Sequence, residues 1–301
     1  METNYAPIVV FTYVRLDHTK KMMESLLANK EAPKSELYVF SDGEKKAENK
    51  CDVENVRKYL HSISGFKKIT IIERKNNWGL ANNLIDGITT VIRKHKRIIV
   101  VEDDLVLSPF FLKFMNETLN IYENEKNVSA ISGFVNPVNK PLSETFFLSY
   151  FACWGWATWE RSWNIFNQDS KQLMRELEKY GNLREFNIDH SVSFYRMLEY
   201  QVKGNINSWA IRFYVSSFVN SKLILFPCQS LTKQNGIDGS GTHSGVTNNY
   251  EVELASTPIK TDKIDIKVNR EAYYAYRDFY LRIGGWKSHV KRLLRIMGLL
   301  K

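Results

Sequence analysis

Along the first third of the chain, short unbroken apolar runs alternate with longer segments whose apolar positions recur at helical spacing. PIVVFTY (Pro7 to Tyr13) predicts a strand, DHTKKMMESLLANK (Asp17 to Lys30) a helix capped by Asp17, and SELYVFSDG (Ser35 to Gly43) a second strand. The pattern then repeats. CDVENVRKYLHSI (Cys51 to Ile63) predicts a helix, KKITIIERK (Lys67 to Lys75) a third strand, GLANNLIDGITTVIRKH (Gly79 to His95) a helix and RIIVVEDD (Arg97 to Asp104) a fourth strand. Apolar runs without polar alternation indicate strands covered on both faces, and the intervening helices indicate parallel pairing. The fold class is therefore α/β, a mostly parallel Rossmann-like sheet flanked by helices.

In such sheets ligands bind beyond the carboxyl ends of the strands. Those ends are TYVR (Thr12 to Arg15), SDGE (Ser41 to Glu44), KNNWG (Lys75 to Gly79) and EDD (Glu102 to Asp104). The last is the most informative. Three adjacent carboxylates at the end of a buried strand repel one another and resist burial, unless a cation or hydrogen-bond donors meet them. A divalent metal against a phosphorylated ligand needs hard oxygen donors with positions left open for phosphate and water. The Asp103-Asp104 pair supplies the donors, leaving Glu102 and Asp103 to accept from sugar hydroxyls; the alternative is a solvated strand-to-helix connection. Ser108 and Pro109 follow as cap and first residue of a helix running through FFLKFMNETLNIYENE.

The second half changes texture. YFACWGWATWERSWNIF (Tyr150 to Phe166) concentrates Trp154, Trp156, Trp159 and Trp163, the makings of a concave wall for a ring-shaped ligand. A polar helix near Lys171 to Tyr180, an aromatic-rich segment from Ser193 to Asn220, the strand-like KLILFP (Lys222 to Pro227) and the glycine-rich NGIDGSGTHSG (Asn235 to Gly245) follow. Beyond about residue 250 the chain turns polar and basic. The net charge of +9 suits an anionic partner without choosing it. Cys51, Cys153 and Cys228 have neither pairing nor zinc-like spacing, and no apolar run has the length of a leader or a membrane span. The expectation is a reduced, cytoplasmic location with no signal peptide.

The sequence of strand, SDG, NNWGLANN and VVEDDLVLSPFF resembles the GT-A class of nucleotide-sugar glycosyltransferases, in particular N-acetylglucosaminyltransferase I and related bacterial polysaccharide glycosyltransferases. The resemblance covers about residues 7–245. It implies a GT-A domain over 1–250, with a nucleotide-binding half to about 125 and an acceptor half from 126, followed by a basic extension over 251–301. It implies that Asp104 binds Mn2+ or Mg2+ bridged to the donor diphosphate, and that Glu102 and Asp103 contact ribose and donor sugar. Asp42 would meet the nucleobase, Thr12 and Arg15 the nucleotide or its phosphates, and Asn77, Trp78 and Asn83 the base and ribose. Read as residues alone, Asp42 before Gly43 is also ordinary turn chemistry, and Arg15 a solvated charge. His243 would complete the metal site, and Trp156 would lie beneath the sugar.

The catalytic base does not transfer. Where the resembling enzyme has an Asp directly before a Trp, NSWAIRF offers Ser208 before Trp209. Asp189, Glu199 and Asp238 are the remaining acids, each with a plainer reading as cap, solvated helix charge or turn residue. The tail WKSHVKRLLRIMGLLK (Trp286 to Lys301) carries five Lys or Arg and no acid. Val290, Leu293, Leu294, Met297 and Leu300 would form an apolar stripe on a helix, suited either to a membrane surface or to docking on the domain. These residues point to a metal-dependent glycosyltransferase using a nucleotide-diphosphate sugar, expected to be a UDP-sugar, and a glycan or glycolipid acceptor. It would act in surface polysaccharide synthesis, peripheral on the inner membrane face. The alternatives are a nucleotide-sugar binder without turnover and a sugar nucleotidyltransferase, which would normally carry a glycine-rich loop after the first strand. Nucleic acid is not expected as a partner.

Overall fold

In a computed structural model of the chain, residues 5–236 and 248–297 are described, residues 286–288 by their backbone alone. The helices are α1 (Leu16–Leu27), α2 (Lys50–Ser62), α3 (Leu80–His95), α4 (Phe111–Ile121), α5 (Glu160–Trp163), α6 (Ser170–Tyr180), α7 (Leu183–Phe186), α8 (Phe194–Val202), α9 (Trp209–Val219) and α10 (Arg270–Ile296). The strands are β1 (Ile8–Thr12), β2 (Glu36–Ser41), β3 (Lys68–Glu73), β4 (Arg97–Glu102), β5 (Leu105–Leu107), β6 (Val128–Ser132), β7 (Thr145–Leu148), β8 (Trp156–Trp159), β9 (Leu223–Pro227) and β10 (Thr232–Gln234).

Eight strands form one sheet in the order β3-β2-β1-β4-β8-β6-β9-β7. The first four pair in parallel, β8 runs antiparallel between β4 and β6, and β7 is antiparallel to β9. Alternation along each strand explains why both faces are covered. Val9, Phe11, Val100 and Phe40 face the α3 and α9 side, while Ile8, Val10, Val101 and Val39 face the side packed by α1, α2 and α4. The chain steps outward from β1 to β2 and β3, then returns through α3 to lay β4 on the other side of β1. That reversal opens a crevice beyond the carboxyl ends of β1 and β4, where ligands of open α/β sheets bind.

Three expectations change. Helix α1 begins at Leu16 with Arg15 at the cap position, and Asp17 lies in its first turn, where its charge faces the positive helix end. Helix α4 begins at Phe111 rather than Pro109; Ser108 Oγ accepts from Phe110 N at 3.2 Å and donates to the Ala255 carbonyl at 2.7 Å. Finally, packing does not stop near residue 250. Val252, Ala255 and Ile259 are buried, Val268 bridges to Phe147, and Ala272, Tyr276 and Phe279 of α10 enter the main core. The basic extension is thus integral to the domain through Leu281.

Candidate active site

Just beyond β4 the chain makes a tight excursion and returns as β5, which pairs antiparallel with β10 in a separate two-stranded sheet, Leu105 opposite Gln234. This small sheet holds Asp104 in place: Asn235 N donates to the Asp104 carbonyl at 2.7 Å. A Cβ at Gly236 would lie 2.8 Å from the Asp104 carboxylate and 2.9 Å from Arg15 Nη1, so only glycine lets the backbone pass there without displacing them. The sequence pattern concealed both short strands, since three residues are too few to show a period.

Arg15, leaving β1, closes the crevice from the other side. Its Nη2 donates to Asp103 Oδ1 and, at 3.0 Å, to Asp104 Oδ2, while Tyr13 N lies 3.4 Å from Asp103 Oδ2. Burial works against the guanidinium charge, but the two aspartates outweigh it and keep Arg15 firmly protonated. Burial raises the Asp103 pKa to about 6 despite Arg15. Glu102, buried first and then repelled by Asp104 and Asp103, is pushed up to about 8. Two aspartates thus share a single guanidinium. Arg15 Nη1 and Thr12 Oγ1 are buried with no hydrogen-bond partner among the described residues. Unsatisfied polar atoms beside excess negative charge fit a site completed by a cation and an anionic ligand.

The donor set fits such a cation in one way. Among the described residues no three His, Cys, Asp or Glu side chains converge as a metal-holding group. Mg2+ and similar ions at nucleotide sites commonly take one or two carboxylates, with phosphate oxygens and water filling the rest. Asp104, with Asp103 beside it, matches that arrangement.

At the ends of β2 and β3 the structure assigns different work to several expected contacts. Asp42 is buried and accepts from Gly43 N (3.0 Å), Trp78 N (2.8 Å), Asn77 Nδ2 (3.1 Å) and Gly79 N (2.9 Å). A carboxylate offers about four lone-pair sites. All are filled by the chain, so Asp42 holds the loop before α3 instead of reaching a base. Asn77 is tied to Asp42 and to the Gly43 carbonyl. Asn83 is buried, accepting from Arg74 Nε at 3.0 Å. What this framework displays is Trp78, 42% exposed, with the Arg74 guanidinium 4.0 Å from its ring centre. Arg57, absent from the sequence-based set, braces the same loop through the Asp42 and Arg74 carbonyls.

The aromatic wall is also rearranged. Trp156, expected beneath the sugar, is fully buried in β8, stacked at 5.3 Å on Trp209, and cannot present a face to a ligand. Its neighbour Trp154 remains partly accessible, edge-on to Phe134 and Tyr250, and its carbonyl accepts from Thr232 Oγ1 at 2.7 Å. The adjacent Cys153 thiol is raised by burial and then by Glu102.

Asp189 does not behave as a poised base. It is 2% exposed, accepts from Arg184 Nε at 2.5 Å and from Arg292, and has Arg277 at 3.7 Å. Burial would raise its pKa; the hydrogen bonds from Arg292 and Arg184 outweigh that and hold it below the usual carboxylate range. Ser208 is the N-cap of α9, accepting from Ile211 N at 3.3 Å. Glu199 lies half-buried on α8. Asp238 and His243 lie outside the described residues.

The sequence profile of glycosyltransferase-like family 2 matches residues 6–174, more than half of the chain. The chain belongs to this family. The matched span includes Arg15, Asp103 and Asp104 at the crevice beyond β1 and β4. The sheet described above is the GT-A arrangement. No curated protein matches the sequence. Among solved structures, the chain is similar to the mannosyltransferase PcManGT from Pyrobaculum calidifontis, solved in complex with GDP-Man and Mn2+. Identity is 12%, the TM-score is 0.41, and 73% of this chain and 70% of that one are covered. It is also similar to S. aureus TarS 1-349, with 11% identity, a TM-score of 0.43 and coverage of 76% and 60%.

Proposed function

We propose that this glycosyltransferase moves a sugar from a nucleotide-diphosphate donor, a UDP-sugar, to a glycan or lipid-linked acceptor of surface polysaccharide synthesis, and that it requires Mn2+ or Mg2+. The observation that carries the reading is the meeting of Arg15, Asp103 and Asp104 at the switch point of the sheet, with more negative charge than Arg15 neutralises and with buried donors left over. A lipid-linked acceptor would bring the enzyme to the inner face of a membrane as a peripheral protein.

In this reading Asp104 holds the cation and Asp103 supports it. A bound divalent ion supplies Lewis-acid stabilisation of the negative charge that develops on the leaving diphosphate. Arg15 is fixed beside that charge, and its preorganised donors would need little rearrangement. Thr12 Oγ1 faces the same crevice end, Glu102 is available to sugar hydroxyls, and Trp78 offers an exposed ring to the base. Trp154, partly accessible where Trp156 is buried, takes over the role proposed for an aromatic beneath the sugar. Glu199 remains a proposed base, whereas Asp189 is withdrawn into ion pairs. Binding without turnover is the second reading, favoured by Ser208 serving as a helix cap where the resembling enzyme has its base.

The test is nucleotide release from UDP-, GDP- and TDP-sugars with Mn2+ or with EDTA, alongside Asp104→Ala. One donor should be turned over in a metal-dependent way, and the variant should lose at least about a hundredfold of that rate. Calorimetric binding without release would favour the second reading. No binding of any nucleotide sugar would overturn both.

A further inference from the structure

The end of α10 is mounted in an unusual orientation. Gly285 leaves helical geometry (φ 62°, ψ −168°), so the segment after it is set by its own contacts rather than by the preceding turns. Arg292 donates to the Asp189 carboxylate and, from Nε, to the Asp189 carbonyl at 3.0 Å; Arg295 donates to Ser193 Oγ at 2.6 Å. An amphipathic helix on a globular domain ordinarily buries its apolar stripe and leaves cations in water. Here arginines grip the protein while Val290, Leu293, Ile296 and Met297 stand 42%, 55%, 47% and 68% exposed.

Ser193, which Arg295 reaches, is the N-cap of α8, and that helix carries exposed apolar groups of its own. Met197 and Tyr200 are each 36% exposed, and the Arg196 guanidinium sits 5.3 Å from the Tyr200 ring centre. We propose that this face, formed by the last turns of α10 and the outer side of α8, is where the protein lies on an anionic lipid bilayer. Charge complementarity selects that occupant. With Arg292 and Arg295 turned to the protein, Lys291 and Arg196 are the exposed cations, among the described residues, beside these apolar groups; the stretch from Trp286 to Lys301 contains no acid, and Glu199 on α8 is half-buried. Apolar side chains entering the headgroup region with cations around them are the pattern of an interfacial helix. A tyrosine on the same face suits the boundary between the wet and apolar zones. No helix among the described residues is long and apolar enough to cross a membrane, so the contact is one of lying on the surface.

This surface names the partner for the lipid-linked acceptor and to that extent rests on the reading above. Vesicle binding needs neither donor nor turnover, so either can fail without the other. The full chain, without donor, is mixed with phosphatidylcholine vesicles containing or lacking phosphatidylglycerol and sedimented. It should pellet with the anionic vesicles and at least about tenfold less with the neutral ones or in high salt. The double variant Leu293→Glu/Met297→Glu should lose at least about tenfold in partitioning while keeping its thermal midpoint. Absence of pelleting with anionic vesicles would overturn the proposal, as would equal pelleting of the variant. A concentration-dependent dimer in light scattering, abolished by the same substitutions, would assign the face to a second copy instead.

Discussion

The acids at the end of β4 show how neighbours, rather than residue type, set the role of a carboxylate. Asp103 and Asp104 share Arg15, Asp42 is saturated by four N–H donors, and Asp189 is enclosed by three arginines. The first arrangement leaves excess charge for a ligand; the other two leave none. Asp42→Asn would aim an NH2 at the backbone N–H groups of Trp78 or Gly79. It should destabilise the protein by about 1–3 kcal/mol through unsatisfied groups and raise the donor KM by loosening the Trp78 loop, read by thermal melting and steady-state kinetics. If KM moved tenfold with no change in melting, Asp42 would be a direct ligand contact.

At the scale of elements, the two-stranded sheet of β5 and β10 is the piece that turns a sequence motif into a site. It fixes the return of the chain after Asp104 and brings Gly236 against the acid pair. Gly236→Ala would push a methyl into the Asp104 carboxylate and the Arg15 guanidinium without touching the main core. Metal-dependent nucleotide release is expected to fall at least about tenfold with the melting temperature nearly unchanged, a split that kinetics and calorimetry would resolve. Retained activity would show that the acid pair tolerates displacement. Sequence reading found β1 to β4 and the helices between them because their apolar periods are long. It missed β5, β6, β7, β8 and β10, whose three to five residues take their conformation from their partners.

On the scale of the whole molecule, the carboxyl-terminal region completes the fold rather than trailing from it. Helix α10 closes the aromatic core around Tyr276 and Phe279, and the Asp189 cluster ties down its last turns. Because its pKa is depressed in the folded state, Asp189 contributes stability that is present above the unfolded carboxylate value, near about 4, and is lost as pH falls through its lower folded value. Asp189→Asn should therefore cost about 2–3 kcal/mol at neutral pH, discounted because Arg184 is largely exposed, and much less in strong acid. Urea unfolding at the two pH values checks this. An equal loss at both would assign the effect to packing rather than charge.

By itself the sequence determined the parallel α/β half, the edge where its strand ends gather and the acid triplet on that edge, because apolar periodicity and strand order are local properties that place strand ends predictably. It also carried the glycosyltransferase resemblance. Tertiary structure decided the rest: that Trp156 is buried while Trp154 stays partly accessible, that Asp42 and Asn83 hold a loop, that Asp189 is an anchor, and that the last turns of α10 face their apolar side outward. Each of those depends on which donors and rings arrive from residues distant in the chain, and burial and pairing of that kind leave no periodic signal.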